Sequence, residues 1–373
     1  MITMQNVLKR GRTAWDRSLM SEDEYVERVR ETRAAMGAAG LEAVVAVGHT
    51  AHYGNLTWLS GNVPPLGWMA VVLGREAGPV LVTGGGSRDL PFLRTQTWIE
   101  DIRTSASLFA GPAEAVSAVI GEMVSDGASV GLVGAASELG PRVHGELIGA
   151  LSAYAVSDRD DLLFDLRAVK RPRERVALER SLALARVAAG AAVDAWEDGA
   201  SSSASLLAAE RVARARGARD VRVLGNVDGE ELAPVEERSS ARRDRLVGVC
   251  AVESIGYWGT VAIDTAAPSV ATAARSALAA MVGAAAPGVT GGAVAEAAAD
   301  SLDGGSGDVA FAYGLGGGIG LDPDERPVVA LGSSDVLVPG AVLALHVVTV
   351  SDGGSLSAAG ETLRVEQDGI VLL

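Results

Sequence analysis

The chain has 373 residues and a formal net charge of −15 at pH 7, from 32 basic and 47 acidic side chains. This length suits two modest domains, or one large domain with an appendage, and the acidic balance argues against nucleic acid as a partner. The single cysteine, Cys250, excludes an intrachain disulfide and a thiolate metal cage. No apolar run approaches the roughly 20 residues of a membrane span, and the N-terminal residues lack the apolar stretch of a signal peptide. We therefore expect a cytoplasmic protein.

The first part of the chain alternates helical and strand-like patterns. Acidic residues after Ser21 predict a helix start, and the pattern continues to Gly40. A strand (LEAVVAVG), a hairpin (GWMAVVLG with PVLVTG), a helix from Pro112 to Val124 and a further strand (ASVGLVG) follow. This alternation predicts an α/β domain over residues 1–165.

A different pattern occupies the remainder, residues 166–373. Pro172 stands where a long helix begins, and the helical pattern runs to Trp196. A glycine turn, a Ser cap and a second helix follow, and the same order recurs with the Ala-rich helices of residues 269–300. The repetition predicts an α+β domain with a pseudo-two-fold repeat.

The segment GLGGGIGLD, residues 314–322, holds five glycines within its first seven positions. A dinucleotide-binding loop needs G-x-G-x-x-G between a strand and a helix. Here Ile319 takes the place of the third glycine, and Pro323 and Pro327 prevent an immediate helix. A phosphate-binding loop is therefore not supported.

The segment GGGIGLDPDERP instead resembles the "G-H-G-I-G-L-x-x-H-E-x-P" motif of the creatinase / aminopeptidase P / methionine aminopeptidase family. Further segments resemble motifs of that family in the same order and spacing: YGNLTWLSGN (a turn of the N-terminal domain), LRAVKRPRE, the RDRLVGVCAVESIGYWGTVAID hairpin, VPGAVLALHVVTV and ETLRVEQDGIVLL. The resemblance covers most of the chain. It implies an α/β N-terminal creatinase-like domain followed by an α+β pita-bread domain.

The resemblance also implies where a metal centre would lie. Metallopeptidases of this family bind two divalent metals through two Asp, one His and two Glu. Position by position, those ligands fall on Val249, Thr260, Gly317, His346 and Gly360. Hard divalent metals need several anionic oxygens, so we predict that neither metal nor another cofactor is bound.

Two functional interpretations follow from this loss of ligands. Creatinase itself works without metal on a C–N bond, so the chain is either a metal-independent C–N hydrolase or lyase, or a catalytically inactive binding or scaffold protein. The catalytic His of creatinase falls within residues 231–234, which contain none. Creatinase activity is therefore not implied by position, and an ordinary metallo-aminopeptidase is disfavoured.

His346 is the first catalytic candidate, since a His in a mid-strand position of the family cavity suits acid–base chemistry near pH 7. Glu253, on the face that alternation gives to Val249, and Glu361 are the candidate orienting or substrate-binding carboxylates. The alternatives are a neutral core His, a solvated turn Glu and a Glu361–Arg364 pair.

Six further residues are candidates for substrate binding, each with a structural alternative in core packing, a polar loop or a surface turn: Tyr257, Trp258, Tyr313, Asp324, His52 and Tyr53. In dimers of the family, the turn that holds His52 and Tyr53 reaches over the partner's site. We therefore expect a homodimer with the N-terminal domain near the partner's site. The predicted function is C–N bond or proton-transfer chemistry on a small amide, amino-acid-like or guanidino molecule, of a kind suited to specialised metabolism.

Overall fold

The computed structural model describes residues 15–65, 67–84, 86, 89–105, 111–227, 231–236, 244–267, 272–302, 313–350 and 356–373. The chain divides into two compact units, Met1–Arg167 and Ala168–Leu373. This division lies close to the predicted boundary between residues 165 and 166.

The first unit is a mixed sheet with helices. Its strands are β1 (Ala43–His49), β2 (Trp68–Gly74), β3 (Val80–Thr83), β4 (Ile102–Thr104), β5 (Ser129–Val133) and β6 (Ala155–Asp158). Its helices are α1 (Glu22–Ala38), α2 (Gly54–Ser60), α3 (Leu90–Leu93), α4 (Ala113–Met123), α5 (Ala135–Glu138), α6 (Pro141–Ala150) and α7 (Asp160–Ala168), the last crossing into the second unit.

The strand order in this sheet is β4-β3-β2-β1-β5-β6. Strands β1, β2 and β3 pair antiparallel, whereas β5 and β6 continue parallel to β1 and β4 runs parallel to β3. The continuous Val and Ala runs of β1 and β2 are buried because helices and loops cover both faces of the central strands.

The second unit contains two antiparallel sheets, each paired with two helices. The first half has α8 (Pro172–Glu197), α9 (Ser202–Ala215), β7 (Asp220–Gly225), β8 (Ala233–Pro234), β9 (Val247–Ser254) and β10 (Tyr257–Asp264). The second half has α10 (Ala273–Ala284), α11 (Gly291–Asp300), β11 (Gly316–Gly318), β12 (Glu325–Val328), β13 (Val342–Val350), β14 (Leu356–Glu366) and β15 (Gly369–Leu372).

The two sheets have the orders β10-β9-β7-β8 and β12-β11-β13-β14-β15. One core joins α8 and α9 to the first sheet and contains Cys250, Val252 and Ile263. A second core joins α10 and α11 to the other sheet and contains Leu343, Leu345 and Leu363. The repeated helix pair and sheet match the predicted pseudo-two-fold arrangement.

Most predicted elements are confirmed, including the β2–β3 hairpin, α4 and the start of α8 at Pro172. The segment YGNLTWLSGN, expected as a turn, instead forms the short helix α2. All seven residues of α2 are buried, so tertiary packing rather than turn chemistry sets its conformation. Among the described helices, none combines the length and apolar character needed to cross a membrane.

Candidate functional site

The first sheet packs one face against α8 and α9, and we call the other face, which is turned away from these helices, its inner face. Strand register shows which residues lie on it. Directly paired residues share a face of a sheet. Three rows therefore lie on this face: Asp220, Glu253 and Trp258; Arg222, Ala251 and Thr260; Leu224, Val249 and Ala262.

The inner face of the second sheet carries His346. His346 pairs with Gly360, and the next row contains Gly317 and Ala344. A side-chain carbon at Gly360 would lie 3.3 Å from Cβ of Ala262. The two sheets therefore meet at this point, and we call the space between their inner faces the inter-sheet cleft.

Burial distinguishes this cleft from the two cores. Val249, Ala251, Thr260, Ala262 and His346 are only half-buried, although each has a buried neighbour beside it in its strand. Farther along the cleft an apolar cluster closes it, with members from both sheets: Leu232, Val247, Val348, Leu356 and Ala358. The cleft is thus accessible around His346 and apolar at its far end.

The His346 ring is held in one orientation. Its Nε2 atom lies 2.9 Å from the carbonyl oxygen of Tyr313. Because a carbonyl only accepts hydrogen bonds, Nε2 carries a proton and the neutral ring keeps its lone pair on Nδ1. The Tyr313 hydroxyl in turn accepts a hydrogen bond from the Leu232 N–H at 2.8 Å. Tyr313 therefore positions His346 through its main chain, and its side chain contacts the neighbouring loop.

The glycines of β11 are required by close backbone approach. At Gly316, where φ is +84°, a Cβ atom would overlap the Ala344 carbonyl oxygen and lie 3.2 Å from His346 Nδ1. At Gly317 it would lie 2.9 Å from the Pro327 carbonyl oxygen. The strand thus has no room for a side chain at these positions, and a side chain at Gly316 would lie against Nδ1 of His346.

Glu253 does not join His346. Its side chain is fully buried, with Oε2 2.6 Å from Nε of Arg219, and Oε1 accepts a hydrogen bond from the Gly256 N–H. The predicted face is correct, but the carboxylate closes the β9–β10 turn and forms a buried ion pair. Both oxygens therefore serve the fold, contrary to the expected role beside His346.

Glu361 also lies apart from His346. It pairs across the sheet with Leu345, whose side chain packs in the helix-facing core. Neighbouring strand residues point to opposite faces, so Glu361 faces away from the side that holds His346 and Gly360. Its Oε1 is 3.9 Å from a nitrogen of Arg186. The predicted grouping of His346 with Glu253 and Glu361 is therefore not assembled.

Two of the predicted aromatic contacts are core residues. Tyr257 is 2% exposed, and its hydroxyl donates to Glu174 at 3.0 Å. Trp258 is 1% exposed, and its indole ring is covered by the guanidinium of Arg222. Neither ring offers open surface for a ligand to stack on, because both residues are buried.

The remaining candidates are dispersed. Asp324 is exposed in the loop between β11 and β12. In the first unit, His52 is exposed with Nδ1 3.5 Å from Oε2 of Glu138. Tyr53 is 2% exposed and packs inside that unit, which leaves little surface for a substrate.

A buried ion pair and one exposed cation of the second unit are not among the predicted site residues. Lys170 and Glu325 form a buried ion pair with a distance of 2.7 Å from Nζ to Oε2. Arg222 lies on the inner face, in the row of Ala251 and Thr260. Strand alternation alone does not tell which face of β7 carries Arg222, whereas the register with β9 shows that it is the inner face.

This arrangement of two helix-backed antiparallel sheets around a cleft defines a pita-bread fold. Residues 257–371 match the model of metallopeptidase family M24. This part of the second unit is therefore similar to that family, and the predicted resemblance to the creatinase / aminopeptidase P / methionine aminopeptidase family is confirmed.

Solved structures agree over nearly the whole chain. A prolidase from Pyrococcus horikoshii is 17% identical with a TM-score of 0.75, covering 93% of this chain and 97% of its own. Dipeptidase PepE from Mycobacterium ulcerans is 22% identical with a TM-score of 0.74, covering 94% and 95%. The N-terminal domain of FACT subunit SPT16 from Cicer arietinum is 15% identical with a TM-score of 0.67, covering 94% and 96%. At these identities the similarity shows the fold. A search of the curated proteins found no match.

The dinuclear metal centre that the family implies does not fit these residues. The inherited ligand positions carry Val249, Thr260, Gly317, His346 and Gly360, which together offer one imidazole, one hydroxyl and no carboxylate. Among the described residues, no group of three or more His, Cys, Asp or Glu side chains is arranged to hold a metal ion. Divalent metals of this kind require several anionic oxygens.

Proposed function

We propose that this protein is a metal-independent member of the M24 family that acts on a C–N bond, or transfers a proton, in a small molecule bound in the inter-sheet cleft. Amide, amino-acid-like and guanidino compounds are the proposed substrate class. The names of the similar structures, prolidase and dipeptidase, make dipeptides the first amino-acid-like compounds to test.

The observation that carries this proposal is the state of His346. Its Nε2–H is held by the Tyr313 carbonyl, so Nδ1 is the atom able to accept a proton. Protonation of Nδ1 gives an imidazolium whose Nε2–H bonds more strongly to the same carbonyl. In the proposed hydrolysis, Nδ1 takes a proton from the attacking water and returns it to the leaving nitrogen.

Glu253 and Glu361 have no part in this proposal. His346 acts as the acid–base group without a carboxylate partner, and the Tyr313 carbonyl takes the orienting role. General acid–base catalysis by one positioned side chain contributes about 10²- to 10⁴-fold in rate, so we expect a modest activity.

The test combines metal analysis with a histidine variant. Protein incubated with Mn, Co, Zn and Fe(II) and then desalted is analysed by mass spectrometry for bound metal. The same protein is assayed in EDTA against dipeptides, N-acyl amino acids and guanidino compounds, together with His346→Asn and the control His144→Asn on α6. We expect no stoichiometric metal, and turnover that falls at least 100-fold only in His346→Asn.

Two results would contradict this proposal. Near-stoichiometric metal with activity abolished by EDTA would restore a metallopeptidase mechanism. Full activity in His346→Asn would remove the residue on which the proposed chemistry depends.

A catalytically inactive binding protein is the second candidate. The apolar cluster that closes one end of the cleft and the structural ion pair of Glu253 favour it. Ligand binding without turnover, measured with the same compounds, would support this candidate over the enzyme.

A homodimer is also part of the proposal, with His52 near the partner's site. Light scattering on the purified protein tests the dimer. Turnover by a His52→Ala variant then tests whether that side chain contributes to a shared site.

A further inference from the structure

We infer that the inter-sheet cleft binds a small molecule through an oxyanion, a carboxylate or phosphate group, held by Arg222. This inference specifies the ligand of the cleft in the proposed function. It concerns ligand binding alone, so it can be tested separately from the catalytic role proposed for His346.

Strand register places Arg222 on the inner face. Arg222 pairs with Ala251, which pairs with Thr260 on the next strand. Both of these neighbours are small and half-buried. Nothing bulky on the paired strands therefore separates Arg222 from the accessible part of the cleft.

The guanidinium is already fixed in position. Its central carbon lies 4.4 Å from the centroid of the Trp258 ring, so stacking occupies one planar face of the group. The edge of a stacked guanidinium, where its N–H groups lie, remains suited to a carboxylate or phosphate. The nearest carboxylate oxygen of Asp220 is 3.9 Å from Nε, beyond hydrogen-bond distance, and the Arg222 side chain is 49% exposed.

Within the described part of the chain, no carboxylate lies at hydrogen-bond distance from the Arg222 guanidinium. Glu253, the other carboxylate in the adjoining row, is paired with Arg219 at 2.6 Å. The opposite wall presents His346, Gly360 and Ala344 from the described strands. On these strands the cleft thus presents a guanidinium and an imidazole, with Asp220 as the partly exposed carboxylate nearest to Arg222.

The geometry also limits the ligand's size. Trp258 and Ala262 lie on either side of Thr260 along one face of β10, and Ala262 adjoins Gly360, the partner of His346. Residues two apart in a strand are separated by about 7 Å. From Trp258, which lies under Arg222, to Ala262 is two such steps, about 14 Å. A ligand that reaches both Arg222 and His346 therefore spans on the order of 14 Å, the length of a short peptide.

The experiment compares two probes that differ only in charge. N-acetylglycylglycine and its C-terminal amide are titrated into the protein by calorimetry, and inorganic phosphate is titrated separately. We expect the acid to bind at least tenfold more tightly than the amide, since a bidentate charge-assisted contact is lost in the amide. Preference for phosphate over the acid would assign the oxyanion as a phosphate group.

The variants assign the preference to one side chain. Arg222→Gln keeps part of the stem over Trp258 and should bind acid and amide equally, whereas Arg142→Gln, a surface control on α6, should keep the preference. Added salt should weaken acid binding in the wild type, a measurement that needs no variant to fold. His346→Asn should keep the acid preference even where turnover is lost, which separates this inference from the proposed chemistry.

Three results would overturn the inference. The first is equal binding of acid and amide by the wild type when phosphate does not bind either. The second is no binding of any of the three probes. The third is a preference for the oxyanion that persists in folded Arg222→Gln.

Discussion

On the helix side of the second unit, Cys250, Val252 and Ile263 are buried against α8 and α9. On the other face of the same strands, Val249, Ala251 and Thr260 are only half-buried. The first face is constrained by close packing, which resists any change of volume. The second face borders the cleft and carries positions on which the family's metal ligands are predicted to fall. The close packing and the cleft surface therefore lie on opposite sides of the same strands, so a substitution on one side can leave the other unchanged.

The largest effect should come from the backbone that supports the cleft. Gly316→Ala introduces a Cβ that overlaps the Ala344 carbonyl at a φ of +84°. Strain in the left-handed region and overpacking together should lower the free energy of unfolding by about 4 kcal/mol. Urea denaturation measures this loss.

Gly332→Ala is the matched control for that substitution. Gly332 has a φ of +75°, and a Cβ added there would meet no atom of the described residues within 4 Å. Only the backbone strain of about 1 kcal/mol should therefore appear. Equal losses in the two variants would show that the contact with Ala344 is unimportant.

The next effect compares the two faces directly. Leu345→Ala, in the helix-facing core, should lower the free energy of unfolding by about 3 kcal/mol because a cavity forms. Thr260→Ala, on the half-buried face, should change it by no more than about 0.5 kcal/mol. Thermal and urea unfolding of both variants measure the contrast, and similar losses would contradict the separation of the faces.

A smaller loss is expected for Glu253→Gln. The variant leaves Arg219 without its buried counter-charge, which should cost about 2 kcal/mol of unfolding free energy. The control Asp101→Asn breaks an exposed pair with Arg103 and should cost less than about 1 kcal/mol. If Glu253→Gln kept the wild-type stability but changed turnover, Glu253 would have the role in the site that the sequence predicted.

The last prediction concerns reactivity rather than stability. The burial of Cys250 should make its thiol slow to react in the native protein. Burial, with the nearby charge of Glu210 as a lesser cause, raises the pKa of its thiol from 9.0 to about 12. At pH 8 the thiolate fraction should be about a thousandfold lower in the native protein than in the unfolded chain. Alkylation by iodoacetamide, followed by mass spectrometry, should therefore be slow until urea is added. Rapid labelling of the native protein would show that reagent reaches the core between the first sheet and α8 and α9.

Local patterns were sufficient to predict much of the fold. The proline at position 172 and the apolar periodicity after it predicted α8, and β-branched runs predicted β1 and the β2–β3 hairpin. The spacing of the family motifs predicted that residues 249, 260, 317, 346 and 360 belong to one region. These signals are local or tied to the order of the chain, so no tertiary information was needed.

The side-chain partners could not be predicted in the same way. Arg219 lies 34 residues before Glu253 in the sequence, and only the pairing of β7 with β9 brings them together. The direction of Glu361 depends on the register of β13 and β14, since a shift of one residue would have turned it toward His346. The role of Arg222 likewise depends on its stacking over Trp258.

The close packing of β11 also determines what a single substitution could add to the cleft. In Gly317→His, Cβ would lie 2.9 Å from the Pro327 carbonyl oxygen, so β12 would have to move to admit the imidazole. The added His would still face Val249, Thr260 and Gly360, which supply no carboxylate. The backbone spacing between β11 and β12 therefore opposes an engineered metal centre here on steric as well as chemical grounds.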